Sequence, residues 1–223
     1  MLSFMKVLTL TKSNTENLIA EAIKVLQSGG SVVYPTDTSY GLGCDALNSN
    51  AIKKLYLIKE RPLRKKPMHI LIPSLNWAKK YVSWNKSAQT LADAFLPGPL
   101  SLALPLKTTN TPLSTISPEG FLGLRLPKNS FALQLVQTYK KPITATSANP
   151  SAVISKGYDP YSADDVIKQF KNKKNKPDLI IDAGQLKKNK PSTFVRFSNN
   201  FTIEILRTGP ISEEQIYKAL QKK

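Results

Sequence analysis

The residues of this chain best suited to chemistry lie where an apolar segment gives way to hydroxyl groups and glycines. The run from Tyr34 to Gly43 has the sequence YPTDTSYGLG. Pro35 has no N–H to donate, so a strand ending at Tyr34 must stop pairing there. Thr36 to Ser39 then place short donors and acceptors at a strand end, where α/β sheets usually hold their ligands. The same residue types also suit an ordinary polar turn, so this run alone leaves both interpretations open.

A second segment concentrates positive charge. Lys59 and Arg61 are followed at once by Pro62, and Arg64, Lys65 and Lys66 come after a single intervening residue. Closely spaced cations on a chain stiffened by proline suit a phosphate chain. The alternative is a solvated helix C-terminus, where cations interact favourably with the helix dipole.

A third segment, Thr146-Ser147-Ala148-Asn149, follows an apolar strand signal and combines hydroxyl groups with an amide. Such groups can contact a ligand with direction, although an ST- or Asx-turn would have the same composition. Arg125 interrupts another strand-like run, and Ser192 and Arg207 lie beside two more. Together these segments predict a cationic cleft lined with hydroxyl groups, which suits attack on a nucleotide phosphate driven by positioning and charge.

Several other kinds of site are absent from the sequence. It contains neither a GxxxxGK[ST] phosphate loop nor a GxGxxG dinucleotide fingerprint, and no carboxylate cluster resembles a two-metal site. The single cysteine, Cys44, excludes an intramolecular disulfide and a cysteine-based metal cage. The single histidine, His69, lies in a strand-like run and is interpreted as a partly exposed strand residue rather than a catalytic base. We therefore predict no protein metal site.

Composition limits the choice of partners and compartment. The 223 residues carry 32 Lys and Arg against 15 Asp and Glu, a formal net charge of +17. This balance favours polyanions such as nucleotides or RNA, although lysine-rich runs also arise from composition alone. No apolar run is long enough to span a membrane, and the first residues lack the features of a signal peptide. We expect a cytoplasmic protein without a membrane partner.

The periodicity of apolar residues predicts an α/β fold in a single domain, residues 1–223 with a core of about 13–210. Helices are predicted over residues 13–28, with a capping box at Ser13 and Glu16, and over residues 50–60, 87–95, 129–139, 163–170 and 212–220. Strands are predicted over residues 31–34, 68–72, 100–104, 122–126, 143–146, 179–182, 193–197 and 202–206. Because the two element types alternate irregularly, we expect a twisted, mixed β-sheet with packed helices.

In this order along most of the chain, the motifs resemble the YrdC-like family of threonylcarbamoyl-AMP synthases. The resemblance is carried by residues 34–43, Lys59-x-Arg61-Pro62, Lys66-Pro67, residues 96–100, residues 123–127, residues 146–149, residues 191–193 and residues 206–209. The chain looks like the short, single-domain members, and the resemblance implies the YrdC-like α/β twist. It also implies synthesis of threonylcarbamoyl-AMP and pyrophosphate from L-threonine, bicarbonate and ATP, with Mg²⁺ held mainly by the triphosphate.

The resemblance also assigns roles to residues. Thr38, Arg125 and Ser192 fall at threonine-site positions. ATP-side positions are Lys59, Arg61, Lys66, Ser147, Asn149, Ser155 and Arg207. Of these, Lys59, Arg61, Ser147 and Asn149 are the candidate catalytic residues. The implied partners are downstream tRNA threonylcarbamoyl transferase proteins, which use the product to modify tRNA, and tRNA or double-stranded RNA is a further candidate ligand.

Two other interpretations remain. The chain could be a basic RNA-binding module without chemistry, which its net charge favours. It could also be a YrdC paralogue that kept the fold and lost or changed the reaction, which the intact Lys59-x-Arg61 and Ser147-x-Asn149 pairs argue against.

Overall fold

A computed structural model describes residues 5–63, 67–200 and 202–221. Within these residues, ten strands form a continuous sheet. The strands are β1 (Lys6–Thr9), β2 (Ser31–Tyr34), β3 (Gly41–Cys44), β4 (His69–Leu71), β5 (Leu100–Pro105), β6 (Phe121–Arg125), β7 (Ile143–Ser147), β8 (Leu179–Asp182), β9 (Thr193–Phe197) and β10 (Ile203–Arg207).

The strand order is β1-β8-β2-β3-β7-β4-β6-β5-β9-β10. Pairing is parallel between β1 and β8, β2 and β8, β4 and β6, and β5 and β9. The remaining neighbours pair antiparallel. The sheet is therefore mixed, and the predicted fold class is confirmed.

Helices cover both faces of the sheet. They are α1 (Thr15–Gln27), α2 (Ser49–Ile58), α3 (Leu75–Tyr81), α4 (Lys86–Phe95), α5 (Leu113–Ile116), α6 (Ser130–Tyr139), α7 (Ala152–Ser155), α8 (Ala163–Phe170) and α9 (Glu213–Gln221). No described helix is long and apolar enough to cross a membrane.

The helices pack into two separate apolar cores, one on each face of the sheet. Helices α1 and α6 share one core with Val32 and Tyr34 of β2. Val33, between those two residues, belongs to the other core with α2, α4 and α8. Side chains alternate between faces along a strand, so this split follows directly from the apolar sequence of β2.

The first helix begins differently from the sequence prediction. The predicted capping box at Ser13 and Glu16 is wrong, because α1 begins at Thr15 with Asn14 as its N-cap residue. The Asn14 side chain accepts from Thr11 N at 2.8 Å and donates to Thr9 O at 2.9 Å, which ties β1 to the helix instead of capping it. A capping box does form at Ser162 and Asp165, at the start of α8.

Strand β3 was not predicted, because its two glycines suggested a turn. An added Cβ at Gly43 would lie 2.2 Å from Thr144 O, so only glycine allows β7 to approach this closely. Strand β1 and the short helices α3, α5 and α7 were also not predicted, while the other elements lie within a few residues of their predicted bounds.

Candidate active site

A cleft of about 290 Å³ opens on the sheet face that carries α1 and α6, beyond the part that these helices cover. We call it the main cleft. Segments from distant parts of the sequence surround it: residues 34–41, Arg61, strands β4, β6 and β7, residues 159–161, residues 189–192, and Arg207 of β10. Six predicted site residues line it: Thr38, Arg61, Arg125, Ser147, Ser192 and Arg207.

Strand register explains which residues form the floor of the cleft. His69 of β4 pairs with Gly123 of β6 and with Ala145 of β7, and Leu71 pairs with Arg125. These residues therefore share one face of the sheet. His69, Leu71, Arg125 and the small Ala145 all line the cleft, so this face of the three strands forms its floor.

Arg125 lies at the end of β6, with 8% of its surface exposed. Its Nη2 donates to Asp37 Oδ2 at 3.1 Å, and the same oxygen accepts from Lys128 N at 3.1 Å. The Nε–H of Arg125 is buried, with no hydrogen-bond partner among the described residues. Burial lowers the pKa of this guanidinium and Asp37 opposes that shift, so Arg125 stays a cation with donor capacity left for an anionic ligand.

Two more guanidinium groups line the same cleft. Arg61 follows α2, and its Nε–H is also buried with no partner in the described part of the chain. Burial lowers the pKa of Arg61. Arg207 of β10 donates from Nε to Ser192 O at 3.0 Å, and burial followed by repulsion from Arg125 lowers its pKa. Both side chains remain cationic at neutral pH, because an arginine pKa starts above 12.

Ser192 is held between two neighbours on the floor. Its Oγ lies 2.9 Å from Ser101 Oγ and accepts from Arg207 Nη2 at 3.3 Å. This serine therefore links β5 to the guanidinium group of Arg207.

Lys59 and Asn149 do not line the main cleft; they lie beneath it. Lys59 is fully buried, and its Nζ donates to Ser147 O at 2.5 Å, to Asn149 O and to Asn149 Oδ1 at 3.2 Å. The Ser147 hydroxyl donates to Asn149 Oδ1. The lysine thus fixes the turn after β7 that presents Ser147 to the cleft.

Ser155 is not brought to the main cleft. Ser155 donates to Glu60 Oε2 and lines a separate cleft of about 230 Å³ with Lys156 and Lys173. Lys173 Nζ lies 3.0 Å from Glu60 Oε1. Lys66 lies outside the described residues.

His69 is a partly buried residue of β4, as predicted, and it also lines the main cleft, which was not predicted. Its ring contacts Phe194 with centroids 4.4 Å apart. An added Cβ at Gly123 would lie 2.4 Å from His69 Cδ2, so the missing side chain makes room for the imidazole. Burial, followed by repulsion from Arg207 and Arg125, lowers the pKa of His69 to about 3. The ring is therefore neutral at physiological pH.

Several cleft residues had no distinct sequence signal. Asp159, Tyr161 and Asn189 lie in connecting segments and reach the cleft only because the chain folds back over the sheet. Asp37 was recognised as a polar group of the first motif, but its pairing with Arg125 is a contact between residues 88 positions apart. No local pattern could have identified it.

The cleft contains few groups that could hold a metal. Among the described residues, no three His, Cys, Asp or Glu side chains form a group that could bind an ion. Among the described residues that line the cleft, Asp159 carries a carboxylate. A single carboxylate binds Mg²⁺ only when the phosphates of a ligand supply further oxygen ligands. Three guanidinium groups beside hydroxyl groups can bind a carboxylate and a phosphate chain together and stabilise charge that develops between them.

Comparison with known proteins identifies relatives along nearly the whole chain. The sequence profile of the Sua5/YciO/YrdC family, described as "Telomere recombination", matches residues 24–209. A protein of Methanocaldococcus jannaschii is 32% identical over 211 residues, which cover 95% of each chain. The threonylcarbamoyl-AMP synthase of Pyrococcus abyssi is 33% identical over 196 residues, which cover 87% of this chain and 55% of that protein. The chain thus spans about half the length of that relative.

A solved structure shows the same fold. The crystal structure of P. abyssi Sua5 complexed with L-threonine superposes with a TM-score of 0.83 at 31% identity, covering 98% of this chain and 61% of that one.

Proposed function

This chain belongs to the Sua5/YciO/YrdC family, and from that premise we propose that it is a nucleotidyltransferase that makes threonylcarbamoyl-AMP and pyrophosphate from L-threonine, bicarbonate and ATP. The observation that carries the proposal is the convergence of Arg61, Arg125 and Arg207 on one cleft lined with hydroxyl groups. The reaction joins a carboxylate substrate to a triphosphate, and a site with separated cations suits both.

We assign the threonine end of the cleft to Arg125, Thr38 and Ser192. The carboxylate of threonine would bind the guanidinium of Arg125, which is nearly buried and therefore interacts strongly with an anion. The hydroxyl groups of Thr38 and Ser192 can orient the rest of the amino acid through directional hydrogen bonds.

We assign the nucleotide end to Arg61, Arg207 and Ser147, with Lys59 and Asn149 supporting the turn that carries Ser147. The threonine nitrogen attacks the carbon of bicarbonate, water leaves, and a carbamate forms. A carbamate oxygen then attacks the α-phosphorus of ATP, and the bond to pyrophosphate breaks. The protein need not supply a nucleophile, so its task is to align the reactants and to stabilise the departing pyrophosphate.

The metal would arrive with the substrate. Mg²⁺ held by the triphosphate would neutralise part of its charge, and Asp159 is the cleft residue that could help to hold it. Lys66 and Ser155 remain proposed ATP-side residues on the strength of motif position alone.

The cellular context is proposed on the same basis. A cytoplasmic enzyme would pass its adenylate to tRNA threonylcarbamoyl transferase proteins, which modify tRNA. Direct contact with tRNA or double-stranded RNA is a further proposal, and the net charge of +17 supports it.

The decisive experiment is mass spectrometry of the purified protein with ATP, Mg²⁺, L-threonine and bicarbonate, omitting each in turn. We expect an adenylate of the carbamoylated amino acid only when all three substrates are present. Equal product from serine would overturn the threonine assignment alone. If no product formed while RNA binding persisted, the RNA-binding module would replace the enzyme as the better account.

A further inference from the structure

Asp37 occupies an unusual place for a carboxylate, because it lies beside the guanidinium proposed to hold the substrate's own carboxylate. Its Oδ2 accepts from Arg125 Nη2 at 3.1 Å. A side chain in this position could act in two opposite ways. It could compete with the substrate for Arg125, or it could hold Arg125 in the orientation that the substrate needs.

The contacts of Asp37 favour the second role. The oxygen that meets Arg125 also accepts from Lys128 N at 3.1 Å, and the main-chain carbonyl of Asp37 accepts from Asn189 Nδ2 at 2.9 Å. The carboxylate side chain is 18% exposed. A carboxylate that left Arg125 when substrate arrived would also lose its bond to Lys128 N, while the Asn189 bond holds the main chain of Asp37 in place, and losing hydrogen bonds is costly for a mostly buried charge.

The loop around Asp37 is also fixed from within. Thr36 Oγ1 donates to Ser39 O at 2.6 Å and accepts from Thr38 N at 3.2 Å. These two bonds fix the main chain of the turn that carries Asp37, so the point from which its side chain extends toward Arg125 is set within the loop itself.

Arg125 keeps donors for a ligand while it is held. Its bond to Asp37 uses Nη2, and its Nε–H is buried with no partner among the described residues. A guanidinium has five N–H donors in a rigid plane, so fixing one of them fixes the direction of all the others.

We propose that Asp37 is a positioning residue that locks the guanidinium of Arg125 for the carboxylate of the amino-acid substrate and ties the loop of Asn189 to that end of the cleft. The proposal rests on the proposed function for the identity of the ligand. It adds a residue that shapes amino-acid affinity without touching the substrate. Because Asn189 and Thr38 also line an adjoining cleft of about 420 Å³, the contact between Asp37 and Asn189 forms part of the wall between the two clefts.

The test is calorimetric titration of the full chain with L-threonine and, separately, with ATP. Asp37→Asn keeps the size of the side chain and removes its charge. A locking role predicts about tenfold weaker threonine binding, the size expected for losing a charged hydrogen bond, with ATP binding unchanged. A competing role predicts tighter threonine binding, because a negative charge beside Arg125 is removed. Unchanged or tighter binding would overturn the proposal.

The matched control is Glu204→Gln. Glu204 pairs with Arg196 through Oε2 and Nη2 at 2.5 Å, on a strand pair away from Asp37, and its removal changes the net charge equally. We expect no change in threonine affinity. Asn189→Ala removes the anchor on the Asp37 carbonyl and leaves the carboxylate intact, and it should weaken threonine binding less than Asp37→Asn. If Asn189→Ala leaves threonine affinity unchanged, the loop of Asn189 plays no part in positioning Arg125.

A second readout separates this proposal from the proposed function. Arginine side-chain NMR of the unliganded protein should show slow rotation of the Arg125 guanidinium in the natural sequence and in Glu204→Gln, and fast rotation in Asp37→Asn. If the protein binds no threonine but shows this difference, the proposed function fails and the lock stands. Equal rotation in Asp37→Asn and the natural sequence would refute the lock, whatever the ligand is.

Discussion

Two basic residues only two positions apart in the chain, Lys59 and Arg61, have opposite surroundings in the fold. Lys59 is fully buried and surrounded by carbonyl acceptors from Ser147 and Asn149. Arg61 lines the cleft with a buried donor for which the described residues supply no partner. The hydrogen-bond acceptors of Lys59 therefore come from the protein itself, whereas we expect a ligand to supply an acceptor for Arg61. Charge and spacing alone do not distinguish these roles.

The largest effect should come from Lys59→Ala. Removing the ammonium leaves buried carbonyls of Ser147 and Asn149 without a donor, at a cost of about 3 kcal/mol in the free energy of unfolding. Urea unfolding measures this, and product formation should be lost as well because the turn carrying Ser147 loosens. Lys54→Ala, at an exposed position of α2, the helix that ends just before Lys59, is the control and should change the free energy of unfolding by less than about 0.5 kcal/mol. Equal stability of the two variants would refute the structural role of Lys59.

Arg61→Ala should reduce activity strongly and leave stability nearly unchanged, unlike Lys59→Ala. We expect pyrophosphate release to fall by about 100-fold or more, because a cation facing the transferred charge is removed. The free energy of unfolding should change by less than about 1 kcal/mol, since no described residue bonds to the buried Nε. Steady-state release of pyrophosphate and urea unfolding on the same samples check both parts. Full release in this variant would exclude Arg61 from the nucleotide end.

Arg125→Lys tests the amino-acid end of the cleft, and its expected effect on the kinetics is smaller than that of Arg61→Ala. A lysine keeps the charge and loses the planar fork, so the KM for threonine should rise by about tenfold while the KM for ATP stays within twofold. Initial-rate measurements with each substrate varied in turn provide the comparison. A rise in the KM for ATP instead would place Arg125 at the nucleotide end.

The smallest effect is the loss of stability due to His69 between pH 6.5 and 5.5. The pKa of His69 is about 3 in the folded chain and about 6.5 when unfolded, so the unfolded state binds more protons between these values. Its contribution to stability is complete above pH 6.5 and is lost as the pH falls through this window, by about 1.4 kcal/mol per pH unit. His69 is the single histidine of the chain, so His69→Gln should flatten the dependence between pH 6.5 and 5.5. Urea unfolding at several pH values tests this, and an unchanged slope in His69→Gln would show that the ring is not held neutral.

The sequence predicted the fold well where apolar periodicity dominates. The bounds of β2 agree because its four residues are all buried, and an apolar run in such a strand is hard to mistake. Strand β3 was missed because glycines are required there by the close approach of Thr144 O, a reason that exists only in three dimensions.

For the site as well, residue type was informative locally, whereas contacts between distant residues could not be predicted. Residue type indicated that Arg125, an arginine in a strand-like run, would either extend outward or face a polar site, and in the fold both Arg125 and Arg207 line the main cleft. Type could not predict that Lys59 would lie under the cleft or that Asp37 would meet Arg125, because both contacts join residues 88 positions apart. The relationship of His69 to Gly123 and Phe194 depends on strand register, which a single sequence does not specify.

The sequence separation of these contacts has a kinetic consequence. The lysine bond beneath the cleft and the Arg125–Asp37 pair each close a loop of 88 residues, and the Asn189–Asp37 bond closes one of 152 residues. Contacts of this length form slowly, since the entropy of closing the chain is lost before the contact stabilises it. During refolding, threonine affinity should therefore appear with the last phase, after helical circular dichroism has recovered, and a partly folded chain should have helices but no binding site.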